Sequence, residues 1–299
     1  MRGAYCNKMS ANAILRRPDF LEYPEMPITD SDSQAIDRTV DILRKSRSLL
    51  VITGAGLSAD SGLPTYRGIG GLYDGEDAEE GIPIEEALSG ATMRSRPELA
   101  WKHLGRIEAA ARGRRFNRGH EVIAEMEAHF ERVWTLTQNV DGFHRRAGSR
   151  RLLEIHGDIH DLYCPACGYA SAVEDYAGLK LPPGCPKCPG PLRPAVVLFG
   201  EMLPLEVLER LRAECERGFD AVLSVGTTSL FAYVVEPVLR AKGEGKATIE
   251  INPGETAVSE LVDVRLRLRA AEALDEIWRR YLSDGRSTST KRGSPPSRP

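Results

Sequence analysis

The residues with the most explicit chemistry are cysteines. The chain has six, and four of them fall in two Cys-x-x-Cys pairs, Cys164/Cys167 and Cys185/Cys188, separated by 17 residues. That is the spacing of a tetrathiolate zinc ribbon. In a reducing compartment such pairs point to metal rather than to disulfides. Four thiolates fill a tetrahedral shell, whereas a catalytic zinc keeps one position open for water or substrate, so the spacing predicts a structural Zn2+, one per chain. Small residues and prolines around the pairs, "CPACG" and "CPKCPG", suit tight metal-holding turns. Cys6 and Cys215 are left over, and nothing near Cys215 would activate its thiol.

Just upstream, "LLEIHGDIHDLYCPACG" carries His156 and His160. With the metal shell complete, neither is needed as a ligand. His156 closes the apolar lead-in "LLEI" and precedes Gly157, so it ends an ordered element, where a rigid base can be aimed into a cleft. Its ordinary pKa suits proton transfer near neutrality. A hydrogen-bonded structural histidine is the other reading. His160 and His144 have weaker cases; His144 lies in "HRRAGSRR" and reads as part of a solvated helix end or loop.

Two further groups have ligand-binding chemistry. "VITGAGLSADSG" follows an apolar strand and opens a helix, giving Gly54-x-Gly56-x-x-Ala59. Small residues there let backbone approach a pyrophosphate, whose charge is met by amides at a helix amino terminus. A tight strand-to-helix turn without a ligand is the alternative. An ordinary dehydrogenase would place an acidic residue about 20 positions further on to hold the adenosine ribose; a glycine-rich stretch stands there instead. Asn252, after "ATIEI", is the better candidate for that contact, and Arg67 for a phosphate clamp. In "TQNVDGFHRRAG", Gln138, Asn139 and Asp141 follow the strand "RVWTLT". Their amides and carboxylate can pair with a carboxamide and ribose hydroxyls, or form an Asn/Asp turn.

These groups need a frame. "SLLVIT", "RVWTLT", "AVVLF", "DAVLSV" and "ATIEI" read as short buried strands. Amphipathic helices separate several of them: "PLEVLERLRAEC", "YVVEPVLRAK" and "AEALDEIWRRYL". Asp30, Ser31 and Asp32 offer N-caps for a first helix with Ile36, Val40 and Leu43 on one face. "PELAWKHLGRIEAAARG" and "GHEVIAEMEAHF" are helical too. The alternation predicts an α/β fold, a Rossmann-like doubly wound parallel sheet with a smaller zinc-ribbon and helical domain.

The predicted parts are an irregular arm (1–27), the sheet domain (28–67, 130–158 and 194–282), a cofactor loop and helical module (68–129), the zinc module (159–193) and a disordered tail (283–299). Residues 68–96 read as a long loop, a mobile cover or a disordered insert. Hydrophobic residues make up 41% and charged residues 28%, with a formal charge of -3, so no global field points to nucleic acid or an anionic membrane. No apolar run approaches the ~18 residues of a membrane span, and the first residues lack a signal-peptide core. The expected location is the cytoplasm.

Taken in order, "GAGLSADSGLPTYRG", "TQNVDGFHRRAG", "EIHGDIH", the paired Cys-x-x-Cys motifs, "VVLFGE" and "SVGTTS" resemble the sirtuins, NAD-dependent protein deacylases. The likeness spans about Ile28 to Leu282. It implies that NAD and an acyl-lysine peptide meet in a cleft between the two domains. Position by position, it assigns Gly54, Ala55, Gly56, Ser58 and Arg67 to the NAD phosphates and nearby ribose, and Gln138, Asn139 and Asp141 to the nicotinamide ribose and carboxamide. Gly226, Thr227 and Asn252 would line the adenosine half. His156, with Asn139, would carry the catalysis, and the four cysteines would hold structural zinc. Val197, Leu198, Phe199 and Gly200 look like an edge that pairs with substrate backbone.

The implied chemistry consumes NAD. The acyl oxygen attacks the anomeric carbon as nicotinamide leaves; His156 takes a proton from a ribose hydroxyl; lysine is freed and the acyl group departs on ADP-ribose. The sequence departs from the family in places. Many sirtuins have Asp-Phe at Thr65-Tyr66. Members that remove succinyl or malonyl groups carry Tyr and Arg where counting back from Asn117-Arg118-Gly119-His120 gives Leu104 and Ile107, which favours acetyl or longer apolar acyl groups. The stretch "LFAYVVEP" is longer than the family's usual turn to proline. Mono-ADP-ribosyl transfer and a non-catalytic zinc-ribbon interaction module remain as alternatives.

Overall fold

The computed structural model describes residues 28–65 and 81–285. Its strands are β1 (Ser48–Thr53), β2 (Arg132–Thr137), β3 (Leu152–Glu154), β4 (Gly157–Tyr163), β5 (Ala170–Ala172), β6 (Arg193–Val196), β7 (Ala221–Val225), β8 (Ala247–Ile251) and β9 (Val264–Leu266). Six form one parallel sheet in the order β3-β2-β1-β7-β8-β9, and the other three form a second sheet, β5-β4-β6. The first half of the chain builds one wing of the large sheet and the second half the other. The direction of winding therefore reverses between β1 and β7, the place where doubly wound sheets open a ligand crevice.

The helices are α1 (Asp30–Lys45), α2 (Ala55–Ala59), α3 (Ile84–Ala87), α4 (Gly90–Ser95), α5 (Pro97–Ala111), α6 (Arg118–His129), α7 (Phe143–Ala147), α8 (Leu205–Glu216), α9 (Ala232–Gly243) and α10 (Ala270–Gly285). The strand period of two sorts the core. Leu49 and Val51 of β1 face a layer with Ile36, Val40 and Leu43 of α1, Ile123 and Met126 of α6 and Ile277 and Trp278 of α10. Leu50 and Ile52 face the opposite layer, with Leu211 of α8 and Val234 and Val238 of α9. Burying both faces is why β1 carries four apolar residues in a row, Leu49 to Ile52, and why β7 is buried throughout.

The cysteine-bearing lobe has its own core. Trp101 and Leu104 of α5 pack with Leu88, Ile159, Leu162, Tyr176 and Leu192. The Trp101 indole donates to the Leu192 carbonyl at 3.1 Å, and its ring meets Tyr176 at 5.2 Å. Helix α5 is thereby fastened to the segment that carries the second cysteine pair.

Several expectations change. The N-cap of α1 is Thr29, whose side chain accepts from the Asp32 amide while the Asp32 carboxylate closes a capping box; the sequence offered three acceptors in a row and the one before them caps. Within the expected loop 68–96, residues 68–80 lie outside the described residues, and the remainder holds α3 and α4, which Ser89 caps through the Thr92 amide. "AVVLF" does not join the large sheet: β6 pairs antiparallel with β4, since both strands belong to the cysteine lobe. Helix α10 continues past Leu282 to Gly285. The arm 1–27 and the tail from 286 lie outside the described residues. No helix among those described is long and apolar enough to cross a membrane.

His144 is not solvated. The single turn of α7 directs it inward, 2% exposed, with its Nε2 2.9 Å from the Thr53 hydroxyl. Its ring lies 4.8 Å from that of His120. Burial lowers both imidazoles, His120 to about 2 and His144 to about 3. The unfolded chain binds these protons near pH 6.5 and the folded chain does not, so stability is complete above that pH and falls as pH drops below it. Each histidine contributes a slope of about 1.4 kcal/mol per pH unit. Urea titrations between pH 7.5 and 5.5 should show this loss, with a smaller slope for His144→Gln; identical slopes would refute it.

Candidate active site

The turn between β1 and α2 is set by backbone contact. The Gly54 amide donates to the Val225 carbonyl at 3.1 Å and the Gly56 amide to the Gly226 carbonyl at 2.8 Å. A Cβ on Gly54 would stand 2.8 Å from the Gly226 carbonyl oxygen, and one on Gly56 2.7 Å from the Gly226 Cα. Gly226 itself has φ +59° and would bring a Cβ 2.5 Å from the Leu57 nitrogen. These three glycines let the ends of β1 and β7 touch, a packing reason for the motif beyond any approach to a phosphate.

Around this contact the polar residues at the carboxyl ends of the strands converge. The Asn139 amide donates to the Gly54 carbonyl and to the Ser58 hydroxyl, both at 3.0 Å, and Ser58 donates to Asp141 at 2.6 Å. Asp141 also accepts from the Phe143 amide at 2.9 Å. Burial raises the Asp141 pKa, opposed by the Ser58 hydrogen bond and the Phe143 amide. Further along the edge, the Gln138 amide donates to the Thr227 hydroxyl at 2.8 Å and the Asn252 amide to the Thr227 carbonyl at 3.1 Å. Residues from β1, β2, β7 and β8 are thus linked across the crevice. Arg67 and Tyr66 lie outside the described residues.

A small cavity of about 30 Å³ opens beside this network, lined by Ala55, Ser58, Asn139 and Asp141, by Ile107 and Ala111 of α5, and by Ile159 of β4. Its walls come from both lobes. Ile107 faces the cavity, Leu104 is buried in the lobe core and Arg106 is exposed. A larger groove, lined among others by Arg47, Glu131, Arg132 and Glu214, lies at the opposite, amino-terminal ends of β1 and β2. Its arginines are paired with those carboxylates, and it contains none of the residues singled out above.

His156 sits in the two-residue link between β3 and β4, where one sheet passes to the other. Its Nδ1 is 2.9 Å from the Gln138 carbonyl. A carbonyl only accepts, so Nδ1 carries the proton and Nε2 presents a lone pair. Burial lowers the His156 pKa, opposed by that Gln138 hydrogen bond, and the ring is neutral at physiological pH. The hydroxyl of Tyr233, at the start of α9, lies 2.7 Å from Nε2. Sequence reasoning missed Tyr233; the unusual length of "LFAYVVEP" was its only trace. His160 is turned to Asp158 at 3.0 Å.

The four cysteine sulfurs lie within 4.8 Å of one another, with no histidine in the group. The closest pairs are 3.4 and 3.6 Å apart, too far for a disulfide and close to the ~3.8 Å edge of a tetrahedron built on ~2.3 Å zinc–sulfur bonds. The donor set fits a structural zinc. The Val197–Gly200 edge is partly engaged already. The Val197 amide donates to the His156 carbonyl at 2.9 Å, and Phe199 uses its amide on Leu88 and its carbonyl on Gly90, both at 3.0 Å. Leu198 donates to the Glu201 carboxylate, which Arg193 grips through two nitrogens at 2.7 and 2.9 Å. Among the described residues only the Val197 carbonyl and the Gly200 backbone stay open, which narrows the edge available to an added strand.

The model of the Sir2 family matches residues 54–233, from the glycine turn to Tyr233. The chain belongs to the Sir2 family. A Sir2-family relative in Pseudomonas aeruginosa, named NAD-dependent protein deacylase 2, is 54% identical over 238 residues, spanning 79% of this chain and 93% of its own. Its namesake in Pseudomonas syringae pv. tomato is 50% identical, over 79% of this chain and 96% of its own. A solved Sir2 homologue complexed with ADP-ribose superposes with a TM-score of 0.76 at 34% identity, covering 86% of this chain and 99% of that one. A Sir2 homologue–NAD complex gives 0.74 at 36%, covering 83% and 94%.

The sulfur cluster predicts that the purified chain carries about one zinc per molecule by elemental analysis. Cys185→Ser should cut that content by more than half and lower the melting temperature by at least about 5 °C. A metal-free, equally stable wild type would contradict the assignment.

Proposed function

We propose that this chain is an NAD-dependent protein lysine deacylase that yields nicotinamide, O-acyl-ADP-ribose and free lysine, with His156 as general base. The observation that carries the reading is the 2.9 Å contact of His156 Nδ1 with the Gln138 carbonyl, which leaves Nε2 as the acceptor. That carbonyl fixes the tautomer of the ring one residue before Asn139, in the polar network that rims the cavity. The name of its Pseudomonas relatives, NAD-dependent protein deacylase, supports the same activity.

In this reading the glycine turn, Ala55 and Ser58 receive the phosphates at the crevice where the winding reverses. Thr227 and Asn252 hold the adenosine side, and Gln138, Asn139 and Asp141 meet the nicotinamide ribose and carboxamide. NAD supplies an electrophilic anomeric carbon, and no hydride moves. Nε2 of His156 accepts the proton of a ribose hydroxyl so that the oxygen can attack the acyl carbon. The Gln138 carbonyl steadies the imidazolium that results, much as a carboxylate or carbonyl orients other catalytic histidines. Zinc braces the smaller lobe and takes no step. The substrate is an acylated lysine in an extended segment, paired to the backbone at Gly200 and the Val197 carbonyl.

The apolar face of α5 speaks to the acyl group. Ile107 lines the cavity while Arg106 is exposed, so among the described residues the cavity wall offers an acidic acyl chain no cation, and burying it there would cost several kcal/mol. Nicotinamide release and peptide mass spectrometry should show turnover of acetyl and longer apolar acyl-lysines, with kcat/KM for succinyl-lysine lower by at least about 100-fold. His156→Ala should lower kcat by about 10²–10⁴. Full turnover in that variant removes the base assignment; ADP-ribosylated protein in place of acyl-ADP-ribose replaces the activity.

A further inference from the structure

We propose that Tyr233 is a displaceable hydroxyl cap on His156: in the ligand-free protein it covers the Nε2 lone pair, and the ribose hydroxyl that gives up its proton must take its place. The inference rests on the reading of His156 as base. Because Nδ1 donates to the Gln138 carbonyl, Nε2 of the neutral ring can only accept, and the tyrosine hydroxyl at 2.7 Å is therefore the donor. The atom needed for proton transfer is already occupied.

The cap is built into the fold. Phe231 and Tyr233 stack with their rings 5.5 Å apart and 8° from parallel, and both stand edge-on to the imidazole. The turn that delivers them is pinned at Ser229, at φ 54° the one non-glycine residue with positive φ among those described. Such a conformation is strained and persists where its surroundings impose it. Here the Ser229 amide donates to the Thr227 hydroxyl, and its buried side chain meets Ser224, both at 3.2 Å. Thr227 in turn takes the Gln138 side-chain amide. A closed circuit runs from His156 to Gln138, Thr227, Ser229 and Tyr233 and back to His156. Phe231, on the outer side, is 45% exposed, while the Tyr233 ring packs half-buried against the α8–α9 core layer, so what must give way is the hydroxyl's hydrogen bond to Nε2.

Displacement breaks the Oη–H···Nε2 hydrogen bond, and the incoming O–H gives its proton to Nε2. Tyr233 keeps its own proton, since burial holds its pKa up at about 12. The groups facing the imidazole are the Gln138 carbonyl from the end of β2 and the two aromatic rings from the start of α9. No carboxylate or cation among the described residues is paired with it.

The test is an NMR titration of the His156 ring nitrogens in the full-length zinc-loaded protein, wild type and Tyr233→Phe, which retains the stacked ring. A donor to Nε2 favours the neutral ring, so Tyr233→Phe should raise the His156 pKa by roughly half to one unit. With saturating ADP-ribose the two proteins should titrate together. An unchanged or lowered pKa in the free variant overturns the cap, and a difference that persists with ADP-ribose overturns its displacement. A fall in kcat of about 100-fold would make Tyr233 the proton carrier and also overturn it. If the wild type releases no nicotinamide with any acyl peptide, the deacylase reading fails, and the free-protein titration still decides the cap.

Discussion

The structure depends on one close approach, that of the Gly54–Gly56 turn to Gly226. Two strands from different halves of the chain meet there with no side chain between them, separated by contacts that a single Cβ would violate. Their junction is also the point where the sheet reverses its winding. A hydrogen-bonded backbone seam at that point leaves the polar residues on either side at fixed spacing. Asn139 reads the Gly54 carbonyl directly, and Thr227 follows Gly226 by one residue, so the two sides of the crevice are registered through main chain rather than through flexible side chains.

The same seam separates two polar systems. On one side Ser58, Asn139 and Asp141 are buried and mutually satisfied, which makes them rigid. On the other, Gln138, Thr227 and Asn252 are linked at 2.8 and 3.1 Å at an edge where Gln138 and Asn252 are only half-buried. Gln138 joins the second system to the histidine: its backbone carbonyl orients His156, and its side chain reaches Thr227. A histidine placed on a link between sheets would ordinarily be mobile; here the strand before it, the carbonyl beside it and the Val197 amide on its own carbonyl hold it from three directions.

Much of this was legible in the sequence, and the parts that were not share a cause. The buried strands β1, β2, β7 and β8 announce themselves as apolar runs, and the cysteine spacing carries its geometry with it. Strand β3 has three residues and exists because its backbone pairs with β2 at Thr135–Thr137, so no periodicity could reveal it. The arginines beside His144 suggest a solvated segment, whereas the single turn of α7 directs Phe143 and His144 inward and Arg145 and Arg146 outward. The contact between Tyr233 and His156 joins residues 77 apart. Local pattern cannot encode such a meeting; only the β7-to-α9 turn creates it.

Helix α5 is anchored at one end by the indole of Trp101 on the cysteine lobe and, two turns later, presents Ile107 and Ala111 as cavity wall. A rigid rod held in this way acts as a strut. The sulfur cluster and the cavity are therefore joined by one rigid helix, through packing rather than through charge.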